Sequence, residues 1–338
     1  MKKLIVILIA LCLFGCEESI DSKLQKLGYN QENIEMIKTY PEDIQDKFLN
    51  VYNYKYVALM NEDNFDINKL DEYMNYYGLL ENKELISLIN NNDGKYTINQ
   101  YIDLLNDEYY IESNKQLYLE YLDSYNSIRD LVEAINTKTY LPYYTNIEET
   151  DVSKGYLMLI NKYHRLSSDF EPDDLVEIEP EYGRGRTRRA VYDAYKALQD
   201  EANELGYHFK ITSAYRAYDV QYGLYQGYLE DEGGDVDAVD RYSARPGHSE
   251  HQSGLCLDLS DAQYGMDNFG LSEASKWVNE NCYKYGFIIR YTEDKEAITG
   301  YQAEPWQIRY VGDSIIAKDI MDRGITFDEY YAYFVENN

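Results

Sequence analysis

Three separated stretches of the sequence carry side chains whose types could act together in catalysis. They read "SAYR" at 213–216, "HSEHQSGLCLD" at 248–258 and "EPWQ" at 304–307. His251 and Asp258 place an imidazole and a carboxylate at the two ends of a turn that enters a predicted strand, and Gly254 between them allows close backbone approach. Both groups are ordinary zinc ligands, so the pair predicts half of a zinc site.

Glu304 and Arg216 suit two further roles beside a metal. Pro305 and Trp306 follow Glu304 and form a stiff, bulky neighbourhood, which suits a general base that must keep its position. Arg216 follows the strand candidate "HFKITS" at 208–213 and can present a planar guanidinium to a carboxylate. Taken alone, Glu304 also fits a surface turn, and Arg216 also fits an ordinary surface ion pair.

In order and spacing, the three stretches resemble the VanY-like D-alanyl-D-alanine carboxypeptidases, a family of zinc peptidases with a hedgehog/DD-peptidase type of domain. The resemblance covers roughly residues 155–312 and includes "DFEPDDLV" at 169–176. It implies zinc as the cofactor and peptidoglycan stem peptides as the partner. The site residues that it implies are His251 and Asp258 as metal ligands, Glu304 as the base, and Arg216, Ser249 and Ser213 on the substrate side.

The third metal ligand of that family is a histidine, and Gln307 stands at its position. Glutamine can reach a metal through its amide oxygen, but this neutral, harder donor suits magnesium, calcium or manganese better than zinc. No other histidine replaces it clearly: His248 belongs to the family pattern as a non-ligand, and His164 and His208 lie outside the motifs. Cys256 is another candidate substitute, with a small buried thiol as the alternative interpretation.

Two functions of different classes therefore remain. The first is a metallo-D,D-carboxypeptidase that removes D-alanine from stem peptides, with zinc affinity altered by Gln307. The second is a catalytically inactive peptidoglycan-peptide-binding lipoprotein that keeps Arg216 and the cleft. Glu304 favours the enzyme, because a protein that only binds the peptide has no need of a general base.

The first sixteen residues predict a lipoprotein signal. Lys2 and Lys3 precede an apolar run from Leu4 to Phe14, too short to span a bilayer comfortably and sized like a signal peptide. Residues 13–16 resemble the bacterial lipoprotein signal, which implies that Cys16 becomes the lipidated first residue of the mature chain. We therefore expect an extracytoplasmic protein anchored to the cytoplasmic membrane, with a plain secretory peptide as the alternative.

The net charge and the cysteines of the chain bear on two further questions, namely nucleic-acid binding and disulfide formation. The chain of 338 residues carries 61 acidic and 32 basic residues, a formal charge of -29 that would repel a phosphate backbone, so no nucleic-acid partner is expected. Outside the leader the cysteines are Cys256 and Cys282, which we interpret as two small buried thiols rather than a disulfide.

The elements that must position these residues fall into two regions. Residues 17–150 predict a mainly α-helical region of short helices, with Asn30 as one helix cap and a helix–turn–helix at 82–105. No internal repeat is evident beyond a loose recurrence of helical pairs. Residues 151–338 predict an α+β domain in which a small antiparallel sheet is flanked by helices.

Within that domain, apolar spacing predicts a helix over 190–205 that stops at Gly206, and two more helices over 218–230 and 272–285. The strand candidates are "YLMLI" (156–160), "HFKITS" (208–213), "GLCLDLS" (254–260), "FIIRY" (287–291) and "QIRYV" (307–311).

Overall fold

The computed structural model describes residues 18–50, 52–92 and 94–336. The leader and Cys16 lie outside the described residues. Packing divides the chain into two compact units, with the division between Leu105 and Asn106. Across the described residues, every helix is too short or too polar to cross a membrane.

The first unit is built from short helices, as the sequence predicts. Asn30 caps the second helix, because its side-chain oxygen accepts a hydrogen bond from the backbone N–H of Asn33 at 2.8 Å. The predicted helix–turn–helix is also present. The helices of this unit are α1 Ile20–Leu27, α2 Gln31–Lys38, α3 Glu42–Asn50, α4 Tyr54–Met60, α5 Leu70–Asn75, α6 Asn82–Asn91 and α7 Ile98–Leu105.

A buried tyrosine ties together the helical pair α5 and α6. The hydroxyl of Tyr73 accepts the backbone N–H of Asp66 at 3.4 Å and donates to Asn90 Oδ1 at 2.7 Å. The Asn90 amide then donates to the carbonyl of Asn64 at 2.8 Å. One hydroxyl and one amide thus join the entry of the first helix to the end of the second.

The second unit begins with another helical pair, α8 Lys115–Tyr121 and α9 Ile128–Asn136, that repeats this arrangement. The hydroxyl of Tyr118 accepts the N–H of Ile111 at 3.3 Å and donates to Asn136 Oδ1 at 2.5 Å. The Asn136 amide donates to the carbonyl of Tyr109 at 2.9 Å. The same three hydrogen bonds therefore recur about one helical pair later in the chain.

Aromatic packing repeats as well. The rings of Phe65 and Tyr73 lie 5.5 Å apart at 38°, and the rings of Tyr110 and Tyr118 lie 5.6 Å apart at 37°. The loose recurrence of helical pairs that the sequence indicates is therefore accompanied by a shared set of contacts. Few residue types are shared between the two copies, because what recurs is a tyrosine and an asparagine among apolar positions of varying identity.

The remainder of the second unit is an α+β fold, as predicted. Its four-stranded antiparallel sheet has the order β5-β6-β8-β7. The strands of this unit are β1 Glu148–Glu149, β2 His164–Arg165, β3 Leu175–Glu177, β4 Arg186–Arg188, β5 Lys210–Ser213, β6 Cys256–Ser260, β7 Phe287–Tyr291 and β8 Glu304–Tyr310. Its remaining helices are α10 Arg189–Glu204, α11 Tyr218–Asp231, α12 Val236–Asp240, α13 Glu273–Asn281, α14 Glu296–Thr299, α15 Ser314–Arg323 and α16 Phe327–Phe334.

The sheet buries one face against the long helix α10. Leu198 of the helix and Leu257 and Ile308 of the sheet are fully buried in one apolar cluster. The predicted helix stop is present, since Gly206 follows α10 with a left-handed φ of +87°. Strands β6 and β8 thus pack against a helix, and side chains placed on packed strands are held more precisely than side chains on loops.

The predicted strand "YLMLI" is absent. The chain instead forms a 3₁₀ turn over Val152–Leu157 and then runs extended beside the sheet. The Arg309 guanidinium donates to the carbonyls of Tyr156 at 3.1 Å and Met158 at 2.7 Å. A buried side chain therefore supplies the hydrogen bonds that a neighbouring strand would give, and apolar spacing alone does not distinguish the two cases.

The division at Leu105 lies well before the change in composition near residue 151 that predicts the start of the peptidase domain. Side chains of the intervening segment pack within the second unit. Tyr109 stacks on Tyr333 with ring centroids 4.0 Å apart, and the Tyr163 hydroxyl donates to the carbonyl of Leu141 at 2.8 Å. An independent domain beginning at 151 stays a prediction.

Candidate functional site

A tight turn carries His251 into the site. Residues Glu250–Ser253 form one 3₁₀ turn that ends at Gly254, whose φ is +66°. A side chain at Gly254 would come within 3.1 Å of Arg188 Cγ. Glycine is therefore required both by the left-handed backbone and by the close approach, as the sequence indicates.

The sheet register aligns three of the predicted residues. Asp258 on the central strand β6 pairs with Ser213 on β5 and with Gln307 on β8. Directly opposed residues of adjacent antiparallel strands have neighbouring side chains on one face. Glu304 lies at the start of β8, opposite Tyr291 of β7. Four stretches that are distant in sequence therefore meet at one end of the sheet.

His251 and Asp258 lie close enough together to bind one ion. His251 Nε2 lies 3.2 Å from Asp258 Oδ2, and both side chains are buried. The other ring nitrogen, Nδ1, donates to the carbonyl of Ala214 at 2.7 Å, which leaves the lone pair on Nε2. Among the described residues, Asp258 Oδ1 has no hydrogen-bond partner although it is buried. This unsatisfied oxygen and the fixed imidazole tautomer fit a bound cation.

Among the described residues, neither His248 nor His208 lies where it could replace Gln307 as a ligand. His248 Nδ1 bonds to the carbonyl of Asn161 at 2.8 Å, and burial lowers its pKa to about 4. His208 is exposed, with Nδ1 2.8 Å from Asn203 Oδ1.

Cys256, the other possible substitute, is also excluded from this role. It is fully buried, and burial raises the pKa of its thiol well above the ordinary value. Its side chain does not line the cavity that His251, Asp258 and Gln307 share. Cys256 and Cys282 are both free and buried, which confirms the interpretation of two small buried thiols.

Glu304 is half-buried at the mouth of the sheet. Burial, reinforced by the Asp258 carboxylate, raises the pKa of Glu304 to about 8, while Arg216 and Arg290 act in the opposite direction. Its backbone is held by close packing, since a side chain at Gly270 would come within 2.6 Å of the Pro305 ring. A carboxyl group whose pKa lies near neutrality can both accept and donate a proton.

Arg216 presents a guanidinium that lacks a counter-ion. It donates from Nη1 to Gln221 Oε1 at 2.8 Å and from Nη2 to Ser213 Oγ at 2.9 Å. No carboxylate within the described parts of the chain forms an ion pair with it, so the alternative of an ordinary surface ion pair does not hold. Neutral partners orient the guanidinium and leave its charge available to an anion.

One cavity of about 350 Å³ joins these groups. Ser249 lies on its wall, whereas Ser213 reaches it through the hydrogen bond to Arg216. The polar wall is formed by Arg216, Ser249, His251, Asp258, Glu304 and Gln307, and the aromatic wall by Tyr228, Tyr242, Tyr291, Tyr301 and Trp306.

A buried ionic network lies under the turn and was not foreseen from the sequence. Glu250 Oε1 accepts from Arg290 Nε at 2.8 Å, and Arg309 Nε lies 3.4 Å from its Oε2. Arg290 also donates to Asp328 Oδ2 at 2.7 Å. Since all four side chains are buried, loss of one would leave an uncompensated charge. The signal was present: "FIIRY" and "QIRYV" each carry one arginine within an apolar strand.

Comparison with known proteins identifies relatives of this site. The VanY family, described as D-alanyl-D-alanine carboxypeptidase, matches residues 184–313. "Putative carboxypeptidase YodJ" of Bacillus subtilis (strain 168) is 38% identical over 206 residues, which cover 56% of this chain and 74% of that protein. A D-alanyl-D-alanine carboxypeptidase of Enterococcus faecium is 34% identical over 203 residues, covering 56% of this chain and 62% of the relative.

The fold has a solved counterpart as well. The LdcB LD-carboxypeptidase, whose structure addresses peptidoglycan recognition, superimposes with a TM-score of 0.50 at 36% sequence identity. The match covers 56% of this chain and 91% of LdcB. The predicted fold class is therefore confirmed for the C-terminal part of the chain.

Proposed function

Because this chain belongs to the VanY family of D-alanyl-D-alanine carboxypeptidases, we propose that it is a zinc carboxypeptidase acting on peptidoglycan stem peptides. One observation carries the proposal. Arg216, without a counter-ion, shares a single cavity with the His251–Asp258 pair and with Glu304. A binding point for a chain end, a pair of metal ligands and a proton carrier thus line the same space.

The metal ligands are His251 and Asp258, with the amide oxygen of Gln307 as the third. When bound, zinc would act as a Lewis acid that activates water and polarises the scissile carbonyl. The ligand set supplies one negative charge and one imidazole. Replacement of a second imidazole by a neutral amide weakens affinity for zinc without removing the site.

Arg216 selects the chain end. A terminal carboxylate can accept two parallel hydrogen bonds from a guanidinium, whereas an internal peptide bond offers no charge to it. An internal peptide would therefore leave Arg216 unpaired inside the cavity, which disfavours its binding. Ser249, on the same wall, supplies a further hydrogen bond to the substrate. This arrangement gives an exopeptidase.

Glu304 moves the proton. Its carboxylate takes up the proton that the attacking water loses and then donates it to the departing amine of D-alanine. In the metal-free site, burial and the Asp258 carboxylate raise the pKa of Glu304 to about 8, so the group is not permanently ionised near neutral pH.

The second candidate function is peptide binding without hydrolysis, and Gln307 is the observation that favours it. If zinc does not bind at working concentrations, Arg216 and the aromatic wall still form a receptor for a stem-peptide end. Glu304 favours the enzyme over this candidate, because binding alone does not require a carboxyl group that can carry a proton.

The deciding experiment incubates the purified chain with a stem pentapeptide ending in D-Ala-D-Ala, with added zinc or with a chelator. Mass spectrometry should detect loss of one D-alanine from the peptide when zinc is added and no loss when the chelator is present. The matched control is the same peptide with a C-terminal amide, which should stay intact. A tetrapeptide arm separates D,D from L,D specificity. Equal binding of the pentapeptide in both conditions, without cleavage of either peptide, would favour the binding protein.

We also propose an extracytoplasmic location, with a lipid at Cys16 anchoring the chain to the cytoplasmic membrane. The basic start and the apolar run of the leader support this proposal. A substrate in the cell wall requires an enzyme on that side of the membrane.

A further inference from the structure

A second group of possible metal ligands lies outside the cavity described above. It consists of Glu148 on β1, His164 on β2 and Glu336, which follows α16. The parallel pairing of β1 and β2 places Glu148 beside His164. Their candidate ligand atoms all lie within 4.8 Å of one another.

The hydrogen bonds of Asn161 determine the tautomer of His164. Asn161 Oδ1 accepts the backbone N–H groups of Tyr163 and His164, each at 2.9 Å, and its Nδ2 donates to Asp328 Oδ1 at 2.8 Å. Since Oδ1 is an acceptor, His164 Nδ1 at 3.1 Å must be the donor. The lone pair of this imidazole therefore resides on Nε2.

That lone pair faces a carboxylate. His164 is only 7% exposed, and its Nε2 lies 3.7 Å from Glu148 Oε2, too far for a hydrogen bond. Within the described residues, no donor is placed on Nε2. Two acceptors that face each other at this distance repel unless a proton, a water molecule or a cation lies between them, and the two nearby carboxylates favour a cation.

Lys138 supplies part of the compensating charge. Its ammonium lies 2.8 Å from Glu148 Oε1 and 3.5 Å from Glu336 Oε1. It neutralises the carboxylates but leaves His164 Nε2 without a partner. Lys138 is flexible and 20% exposed in its side chain, so it can withdraw toward solvent.

We propose that Glu148, His164 Nε2 and Glu336 bind a divalent transition-metal ion of the zinc class, with Asn161 orienting the imidazole and Lys138 displaced. Two carboxylates balance the charge of the ion, and an imidazole with a fixed tautomer is its preferred nitrogen ligand. The ion would join β1 and β2 to the end of the C-terminal helix α16. This site is independent of the proposed carboxypeptidase function.

The test measures zinc bound per full-length chain after dialysis, by mass spectrometry of the metal and by isothermal titration. Glu148→Gln should bind one zinc fewer than the parent. The matched control is Glu149→Gln, an exposed neighbour that pairs with Arg165 at 2.8 Å and should retain the parent value. Zinc should also raise the Tm of the parent by more than that of Glu148→Gln, because only the parent keeps this ion.

The variant Lys138→Met tests whether the Lys138 ammonium competes with a metal ion for Glu148 and Glu336. Removal of the resident ammonium should tighten zinc binding at this site by about tenfold, the scale on which neighbouring groups alter metal affinity. Identical zinc content in the parent, Glu148→Gln and Lys138→Met chains would show that Lys138 is the permanent counter-ion of the two carboxylates and would overturn the proposal. Because the comparison is between variants that leave the first cavity intact, failure here does not bear on the carboxypeptidase.

Discussion

Gln307 lies directly opposite Asp258 across the adjacent strands β6 and β8. Its side chain therefore lies on the same face of the sheet as the Asp258 carboxylate. The proposal that Gln307 is the third ligand therefore concerns its chemistry as a donor and not its place in the sheet.

We therefore expect Gln307→His to raise zinc affinity and carboxypeptidase activity together, by about tenfold or more. The reason is that imidazole is a stronger zinc ligand than an amide oxygen. Isothermal titration and release of D-alanine measure the two effects. Gln302→His, which adds an imidazole elsewhere on the cavity wall, is the matched control and should change neither.

In the Gln307→His background, Glu304→Gln should abolish hydrolysis while zinc remains bound, since Glu304 carries a proton and is not a ligand. If Gln307→His binds zinc tightly and still does not cleave the peptide, the cavity differs from its relatives in more than one ligand, and the binding function is preferred.

Arg216→Lys keeps the positive charge but loses the planar fork. Binding of a stem peptide with a free carboxylate should weaken by about 1.5–3 kcal/mol, the value of a hydrogen bond to a charged group. Titration with the peptide and with its C-terminal amide measures the loss. Arg189→Lys, at an exposed position on α10, is the control. Equal affinity of the parent for acid and amide would rule out the role of Arg216.

The pKa of Glu304 predicts a pH dependence of stability. Its pKa is raised from 4.5 to about 8 in the folded, metal-free protein, so folding favours the protonated form. The resulting stabilisation is fully present below about pH 4.5 and is lost as the pH rises through about 8. Unfolding by urea in the presence of a chelator should therefore show a free energy that falls across this window.

In Glu304→Gln, the fall of the free energy of unfolding between about pH 4.5 and 8 should be smaller by the contribution of Glu304, because glutamine does not titrate. Glu293→Gln, a substitution at an exposed position, should retain it. A decline of the same size in the parent and in Glu304→Gln would assign the effect to other groups.

The packing of the second unit predicts where the chain can be cut. A fragment of residues 106–338 should unfold cooperatively. A fragment of 151–338 loses the stacking of Tyr109 on Tyr333, and its Tm should be lower by at least about 3 °C, the shift that about 1 kcal/mol produces in a domain of this size. Calorimetry compares the two. Equal Tm values would support the boundary at 151 that the composition indicates.

The leader predicts that Cys16→Ser abolishes lipidation. The variant should accumulate unprocessed or leave the membrane fraction, because the acyl chains are what hold a lipoprotein at the bilayer. Fractionation and the mass of the mature N-terminus measure this. Cys12→Ser, within the apolar run, is the matched control and should behave like the parent. Unchanged processing and membrane binding of Cys16→Ser would contradict the anchor.

The sequence by itself determined the chemical composition of the site and the elements that carry it. His251, Asp258, Glu304 and Arg216 were predicted because their residue types suit these roles and because the order and spacing of the three stretches resemble the VanY family. Helix α10 and the strands of the main sheet were predicted from the spacing of their apolar residues. That spacing can be read from each segment alone, without knowledge of its neighbours in the fold. The buried thiols of Cys256 and Cys282 followed from composition in the same way.

Only the tertiary structure decided how distant groups satisfy one another. Arg309 donates hydrogen bonds to the carbonyls of Tyr156 and Met158. These bonds take the place of strand pairing, and the segment predicted as a strand is extended but unpaired. Within the described part of the chain Arg216 has no counter-ion, although the sequence contains 61 acidic residues, and His164 directs its one lone pair at Glu148. Each of these contacts depends on which polar groups, distant in sequence, the tertiary fold brings together. Local sequence cannot encode that outcome, because the free energy of a buried polar group depends on partners that only the complete fold supplies.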